Sequence, residues 1–246
     1  MVDGTSSIKA LFFDLYGTLV DNGGRGEAIR RTCVEVAAAI PGLDADQLAQ
    51  ANAEVWRDYW PQVEEQWSLG TLDGAGVSLE AWTRALRACG CEDEALARLA
   101  RDTWRRHQPI ALSLYADARD LFTRLARTRL RLALITNAAS DSAREAVAAL
   151  GIEERVSTVV VSGELGVAKP DAAIFAAAAQ SVGVDPGDAW HVGDSLRTDV
   201  AGAKAAGLGA VWLNRDGLAR TAADPKPDHE IRSLTELAWL LPALQH

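Results

Sequence analysis

Short apolar, β-branched runs alternate with amphipathic helical spacing over most of this chain, and one long stretch is helical alone. Residues 8–16, IKALFFDLY, read as a buried strand that finishes at Asp14. RLALITN (131–137), VSTVVVS (156–162), DAWHVGD (188–194) and GAVWLNR (209–215) read as further strands, and HEIRS (229–233) as a last one before a terminal helix. Helical spacing at 117–128, 141–150, 171–182 and 197–206 separates them. Strands alternating with helices predict βαβ units and a parallel sheet.

Between the first two strands the spacing is helical throughout. Ala28, Ile29, Cys33, Ala37 and Ile40 share one face, and Pro41-Gly42 ends that helix. Asp44 followed by Gln47 has the pattern of a capping box for a second helix. Ser78 opens a third that closes near Gly90, and Leu96, Leu99, Thr103 and Trp104 line a fourth. Trp56 and Trp60, one turn apart, predict packing; Pro61 disturbs their helix and leaves Trp67 free to face the surface. The glycine-rich DNGGRG, 21–26, suits a hinge. The expected architecture is a Rossmann-like three-layer α/β core with a parallel sheet, residues 1–21 and 108–246. An all-helical cap, residues 22–107, is inserted after the first strand.

Composition narrows the partners. The 246 residues carry a net charge of −9, which argues against nucleic acid or an anionic membrane as the main partner. A small anionic substrate stays open. No run of about 18 apolar residues predicts a membrane span, and MVDGTSSIKA lacks the basic-then-apolar pattern of a signal peptide. Cys33, Cys89 and Cys91 form neither a disulfide framework nor a zinc set. The expectation is a cytoplasmic protein acting on a small molecule, as a monomer or homodimer.

The polar residues worth following stand where strands finish, the edge at which such sheets bind ligands. They are Asp14, Thr136 with Asn137, Lys169 in the GVAKPD loop, Asp194 in HVGDS, and Asp199. Three carboxylates crowd one site only if a cation relieves their repulsion, and hard oxygen donors suit Mg²⁺, which also takes substrate phosphate. Lys169 would offset charge on Asp14 and on a phosphoryl group. The Thr136 hydroxyl and the amides around Asn137 and Ala138 would hold phosphoryl oxygens. Asp14 would attack as nucleophile, giving an acyl phosphate that water hydrolyses. Arg25, in the hinge, is a further candidate for a substrate anion, although most such residues are solvated charges. His191 reads as a packed histidine, Trp190 and Trp212 as core, and His107 as lacking a partner. Glu164 and Asp171 either orient Lys169 or are solvated.

In these motifs, and over nearly its whole length, the chain resembles the haloacid dehalogenase-like hydrolase superfamily with a C1-type cap. The family's Asp-x-Asp-x-Thr appears here as Asp14-Leu15-Tyr16-Gly17-Thr18; Thr136, Lys169 in KPDAAIF, and Gly193-Asp194 with Asp199 supply the other three motifs. The resemblance implies one Mg²⁺ held by Asp14, Asp194, Asp199 and the backbone carbonyl of Tyr16, with Tyr16 and Thr18 beside the substrate. It also implies that Tyr16 replaces the phosphatases' general acid–base. Asp-x-Tyr-Gly-Thr is the usual form in metal-independent 2-haloacid dehalogenases. Those, however, carry Ser-Asn in place of Gly193-Asp194 and favour Ser in place of Thr136. Motif four weighs more, because its carboxylates have no task in a metal-free site. A Mg²⁺-dependent phosphatase of a small phosphorylated metabolite is expected; the alternatives are a 2-haloacid dehalogenase and a degenerate, non-enzymatic binder of a phosphorylated ligand.

Overall fold

The computed structural model describes residues 8–241 and residue 244, so most of the N-terminal decapeptide read above lies outside it. The chain divides into two compact units. One comprises residues up to 21, 114–137 and those from 151 onward; the other comprises 22–113 and 138–150.

The strands are β1 (Ala10–Phe13), β2 (Val20–Asp21), β3 (Ser113–Leu114), β4 (Arg131–Thr136), β5 (Thr158–Val161), β6 (Ala189–Gly193), β7 (Gly209–Leu213) and β8 (His229–Ile231). Six of them form one parallel sheet in the order β5-β4-β1-β6-β7-β8. β1 is central, and its four residues are wholly buried, as a strand covered on both faces requires. Register aligns Phe13 with Leu134 of β4 and Val192 of β6. Asp14 therefore leaves the sheet level with the ends of both neighbours.

The helices are α1 (Arg25–Ala38), α2 (Ala45–Ser68), α3 (Gly74–Ala88), α4 (Glu94–Ala111), α5 (Ala116–Leu125), α6 (Ser140–Ala149), α7 (Ser162–Leu165), α8 (Ala172–Val182), α9 (Ala201–Ala205) and α10 (Leu237–Leu240). On one face of the sheet Phe12, Ile135 and Trp212 pack with Ile174, Phe175 and Ala178 of α8. Gly202 of α9 lets that layer close: a Cβ there would lie 2.3 Å from the Phe175 ring. On the other face Phe13 meets Phe122 of α5 edge-on, centroids 6.4 Å apart. Each such buried apolar side chain contributes about 1.5–3 kcal/mol, so the α/β sandwich anticipated from the alternating pattern is well supported by burial.

In the second unit α1, α2, α3 and α4 pack in a closed ring, each against the next and α4 against α1. Cys33, Val36, Leu48, Trp82, Leu86 and Ala100 fill its centre. Asp44 caps α2 through Gln47 N at 2.8 Å. Several expectations differ from what is found. The third helix starts a turn before Ser78, because the Asp73 carboxylate caps it through Gly76 N at 2.6 Å. Pro61 is exposed within an unbroken α2. The tryptophans of α2 are half-buried and meet in a row, tilted for Trp56–Trp60 with centroids 5.9 Å apart and edge-on for Trp60–Trp67 at 5.1 Å. His107 does have a partner, Glu35 Oε2 at 3.0 Å.

α6, which alternation alone places with the sheet, falls in the helical unit. Its Asp141 accepts hydrogen bonds from Gly74 N (2.8 Å) and Ala75 N (2.9 Å) at the start of α3, and Glu145 pairs with Arg105. A carboxylate at a helix N-terminus satisfies orphan donors and opposes the dipole favourably. Trp212 is core, but Trp190 is only half-buried, stacked on His229 with its indole over Gly209. Among the described residues no helix is long and apolar enough to cross a membrane.

Candidate active site

Asp14 follows β1, Thr136 is the last residue of β4, and Asp194 follows β6. Lys169 comes from the loop between α7 and α8, and Asp199 from one wide helical turn, Leu196–Val200, that precedes α9. Asp14, Thr136, Lys169 and Asp199 are buried, and Asp194 is exposed. The Lys169 ammonium donates to Asp14 Oδ1 at 2.6 Å and to Asp199 Oδ1 at 2.7 Å. One oxygen from each of Asp14, Asp194 and Asp199 lies within 4.8 Å of the others. The sequence separates Asp14 from Asp199 by most of the chain; the sheet edge brings them together.

Two glycines make room for this crowding. A Cβ on Gly193 would sit 2.2 Å from the Asp199 carboxyl carbon, and one on Gly17 would sit 2.3 Å from Asp194 Oδ2. Gly17 also has φ +80°, which side chains other than glycine seldom adopt. Asp199 is further fixed by Ser195 N, which donates to Oδ2 at 3.1 Å, and by His191 Nε2, 2.9 Å from Oδ1.

The electrostatics are those of a site with more anionic than cationic charge. Burial pushes Asp14 up to about 6, against the lowering influence of Lys169 and with the charges of Asp199 and Asp194 adding to it. Asp194 is also raised to about 6, first by desolvation of its carboxylate and then by Asp199. For Asp199 burial acts upward too, but Lys169 and then His191 outweigh it and hold the group below the usual carboxylate range. Burial alone would lower Lys169; Asp14 and Asp199 reverse that and raise it. One ammonium thus faces three carboxylates.

That donor set fits Mg²⁺. All three side chains offer hard oxygen donors, and two of them have proton affinities raised by burial and, less, by neighbouring carboxylate charge, which a divalent cation would offset.

Other residues named from the sequence fall as follows. The Asn137 side chain brackets the Lys169 backbone, donating to its carbonyl at 2.9 Å and accepting from its N–H at 2.8 Å. That amide pair orients the lysine backbone, and Asp171 caps α8. Tyr16 is half-buried and bridges to Val20 in the turn after β1, where Gly17 N donates to Val20 O at 3.0 Å. Thr18 is buried, and its hydroxyl has no hydrogen-bond partner among the described residues. Ala138 is buried and belongs to the helical unit, as does Arg25 at the first turn of α1. The Arg25 guanidinium lies over the Trp56 and Trp104 rings, 5.0 and 5.5 Å from their centroids.

Sequence reading overlooked Arg215. Its guanidinium donates to Thr18 O at 2.8 Å and Gly17 O at 3.3 Å, pairs with Asp117 at 2.8 and 3.1 Å, and stacks on Tyr115 at 3.8 Å. Asp117 is tied in turn to Ser233 Oγ and Leu234 N, each at 2.9 Å. The turn that follows Asp14 is therefore clamped from β7. Arg215 closes the run GAVWLNR, so its place at a strand end was the available signal.

The sequence pattern of the family described as haloacid dehalogenase-like hydrolase matches residues 8–207. The chain is 32% identical to N-acylneuraminate-9-phosphatase of Rattus norvegicus, over 98% of this chain and 96% of that protein. It is 36% identical to phosphoserine phosphatase of Thermus thermophilus, over 94% and 98%. Among solved structures, 2-haloacid dehalogenase from Pseudomonas syringae superposes with a TM-score of 0.67 at 27% identity, covering 95% of this chain and 97% of that one.

Proposed function

The chain belongs to the haloacid dehalogenase-like hydrolases, and we propose that within the family it is a Mg²⁺-dependent phosphatase of a small phosphorylated metabolite. The observation that carries this reading is the cluster of Asp14, Asp194 and Asp199 around a single lysine. An uncharged leaving site for halide gives Asp194 nothing to do, whereas a cation and a phosphate do. The phosphatases among its relatives support the same choice.

The step is a double displacement. Asp14 Oδ1 is occupied by Lys169, so the other oxygen attacks phosphorus. The P–O ester bond breaks, and its electron pair leaves on the alcohol oxygen, which takes a proton from water. Water then attacks the phosphorus of the aspartyl phosphate; its proton is released, and Asp14 regains its carboxylate. Lys169 offsets charge on Asp14 through both displacements. Asp14, Asp194, Asp199 and the Tyr16 carbonyl would hold Mg²⁺, which would neutralise charge at the phosphoryl oxygens. Thr136 and the amides at Asn137 and Ala138 are assigned to the phosphoryl group, with Thr18 beside it. Residues 22–107, with Arg25, are assigned to substrate selection as a cap.

Tyr16 stands where a carboxylic acid would protonate the leaving group. A phenol, with a pKa of about 10, is a poor substitute near neutrality. The enzyme is therefore assigned substrates with good leaving groups, such as acyl phosphates and phenolic esters. A second reading, halide displacement from a 2-haloacid, rests on that same tyrosine. Release of phosphate from p-nitrophenyl phosphate, set beside release of chloride from 2-chloropropionate, separates them. Phosphate alone is expected; chloride alone, undiminished by EDTA, would replace the phosphatase reading with the dehalogenase one.

A further inference from the structure

His191 lies on β6, 1% exposed, in register with Phe12 of β1 and Ala210 of β7. Its ring meets Phe175 edge-on at 5.0 Å. Nδ1 is buried and has no hydrogen-bond partner among the described residues, while Nε2 lies 2.9 Å from Asp199 Oδ1. As packing alone this is a poor arrangement, because an unpaired buried nitrogen carries a desolvation cost that a phenyl ring in the same place would avoid. What a phenyl ring lacks is the Nε2–H donor. An ionised Asp199 only accepts, so the ring proton sits on Nε2.

Asp199 Oδ1 is also the oxygen that holds Lys169, and Lys169 holds Asp14. If the Asp199 carboxylate turned about its Cβ–Cγ bond, the ammonium would lose one of its two anchors. Gly193, with no side chain, leaves room for the carboxylate, and two hydrogen bonds oppose that turn: the Ser195 amide on Oδ2 and His191 on Oδ1.

We propose that His191 is a positioning residue, which fixes the Asp199 carboxylate so that Lys169 is held on Asp14 in the geometry for attack. It touches neither nucleophile nor substrate. The role is the same whether Asp14 attacks phosphorus or carbon, so it does not depend on the phosphatase reading.

The test compares His191→Phe, His191→Asn and His191→Gln with the wild type, using p-nitrophenyl phosphate. Gln can place an N–H near the position of Nε2; Asn is too short. Phe and Asn should each lower kcat by about 10–100-fold, the range for groups that orient a reactive residue, with KM little changed. Gln should restore much of the loss. Thermal midpoints are recorded alongside, and ¹⁵N–¹H correlation of the wild-type imidazole should show the Nε2–H tautomer. An undiminished kcat in His191→Phe would overturn the proposal. So would losses in all three variants that follow their thermal midpoints, or an Nδ1–H tautomer in the wild type. If the wild type leaves p-nitrophenyl phosphate intact, the phosphatase reading fails by itself, and the imidazole spectrum decides the question of His191. That spectrum also decides it if His191→Phe does not fold.

Discussion

The Asp194 carboxylate fills the space a side chain on Gly17 would take: a methyl group there would lie 2.3 Å from Asp194 Oδ2. The glycine after Tyr16 therefore lets a carboxylate from the end of β6 reach the turn that follows β1. Gly17→Ala should cost about 1–3 kcal/mol for the strained backbone alone. It should also displace Asp194, so that Mg²⁺ no longer raises the thermal midpoint. Equal stabilisation of variant and wild type by Mg²⁺ would separate Gly17 from the metal site.

Asp14 and Asp194 are each raised to about 6, so both protonate as pH falls through that value. Cation binding needs them ionised. Mg²⁺ affinity measured by calorimetry should therefore fall between pH 7 and pH 5, with protons released on binding near pH 6. The effect on folding has the opposite sense. A carboxylate whose folded pKa lies above its unfolded one destabilises the metal-free fold when ionised. From these two groups, metal-free stability should fall as pH rises from about 4 to about 6. Affinity that is flat across this range would contradict the raised values.

Arg215 holds the carbonyls of Gly17 and Thr18 and both oxygens of Asp117. Hydrogen bonds to charged groups contribute about 1.5–3 kcal/mol, and Arg215→Gln should lose a comparable amount. Asp117→Asn in the same background should add little, since the partners form one network. Additive losses in denaturant titrations of the single and double variants would show that the two act separately.

Tyr16→Asp would supply a carboxylic acid where the phenol now stands. For alkyl phosphates, whose leaving groups need a proton, kcat should rise by up to about 10²-fold, the lower end for general acid–base help. For p-nitrophenyl phosphate it should change little. A uniform change across leaving groups would show that Tyr16 does not stand in the acid's position.

Much of this was legible in the chain because strand-end chemistry is local. FFDLYGT, LITN and HVGD each join an apolar run to a polar residue, and the run fixes where that residue emerges. The fold followed from the same alternation. What escaped notice depends on contacts between distant segments. The Arg215 clamp joins residues 198 and 98 positions apart in sequence, and only the register of β7 reveals it. The bracket of Asn137 around Lys169 is of the same kind, whereas the bond from His191 to Asp199 spans only eight positions and depends on the wide turn after β6. α6 reads as a crossover helix by periodicity, yet Asp141 and Glu145 bind it to α3 and α4. Short-range patterns locate Asp73 and Ser78 equally well, and the cap at Asp73 decided where α3 begins.

The central claim is that Asp14 attacks phosphorus in a site completed by Mg²⁺. It is tested most directly by phosphate release from p-nitrophenyl phosphate, measured for wild type and Asp14→Asn with Mg²⁺ and with EDTA. Release by the wild type with Mg²⁺ only, and loss of at least about 10³-fold in Asp14→Asn, is the predicted result. Release that survives EDTA, or that Asp14→Asn retains, would contradict it.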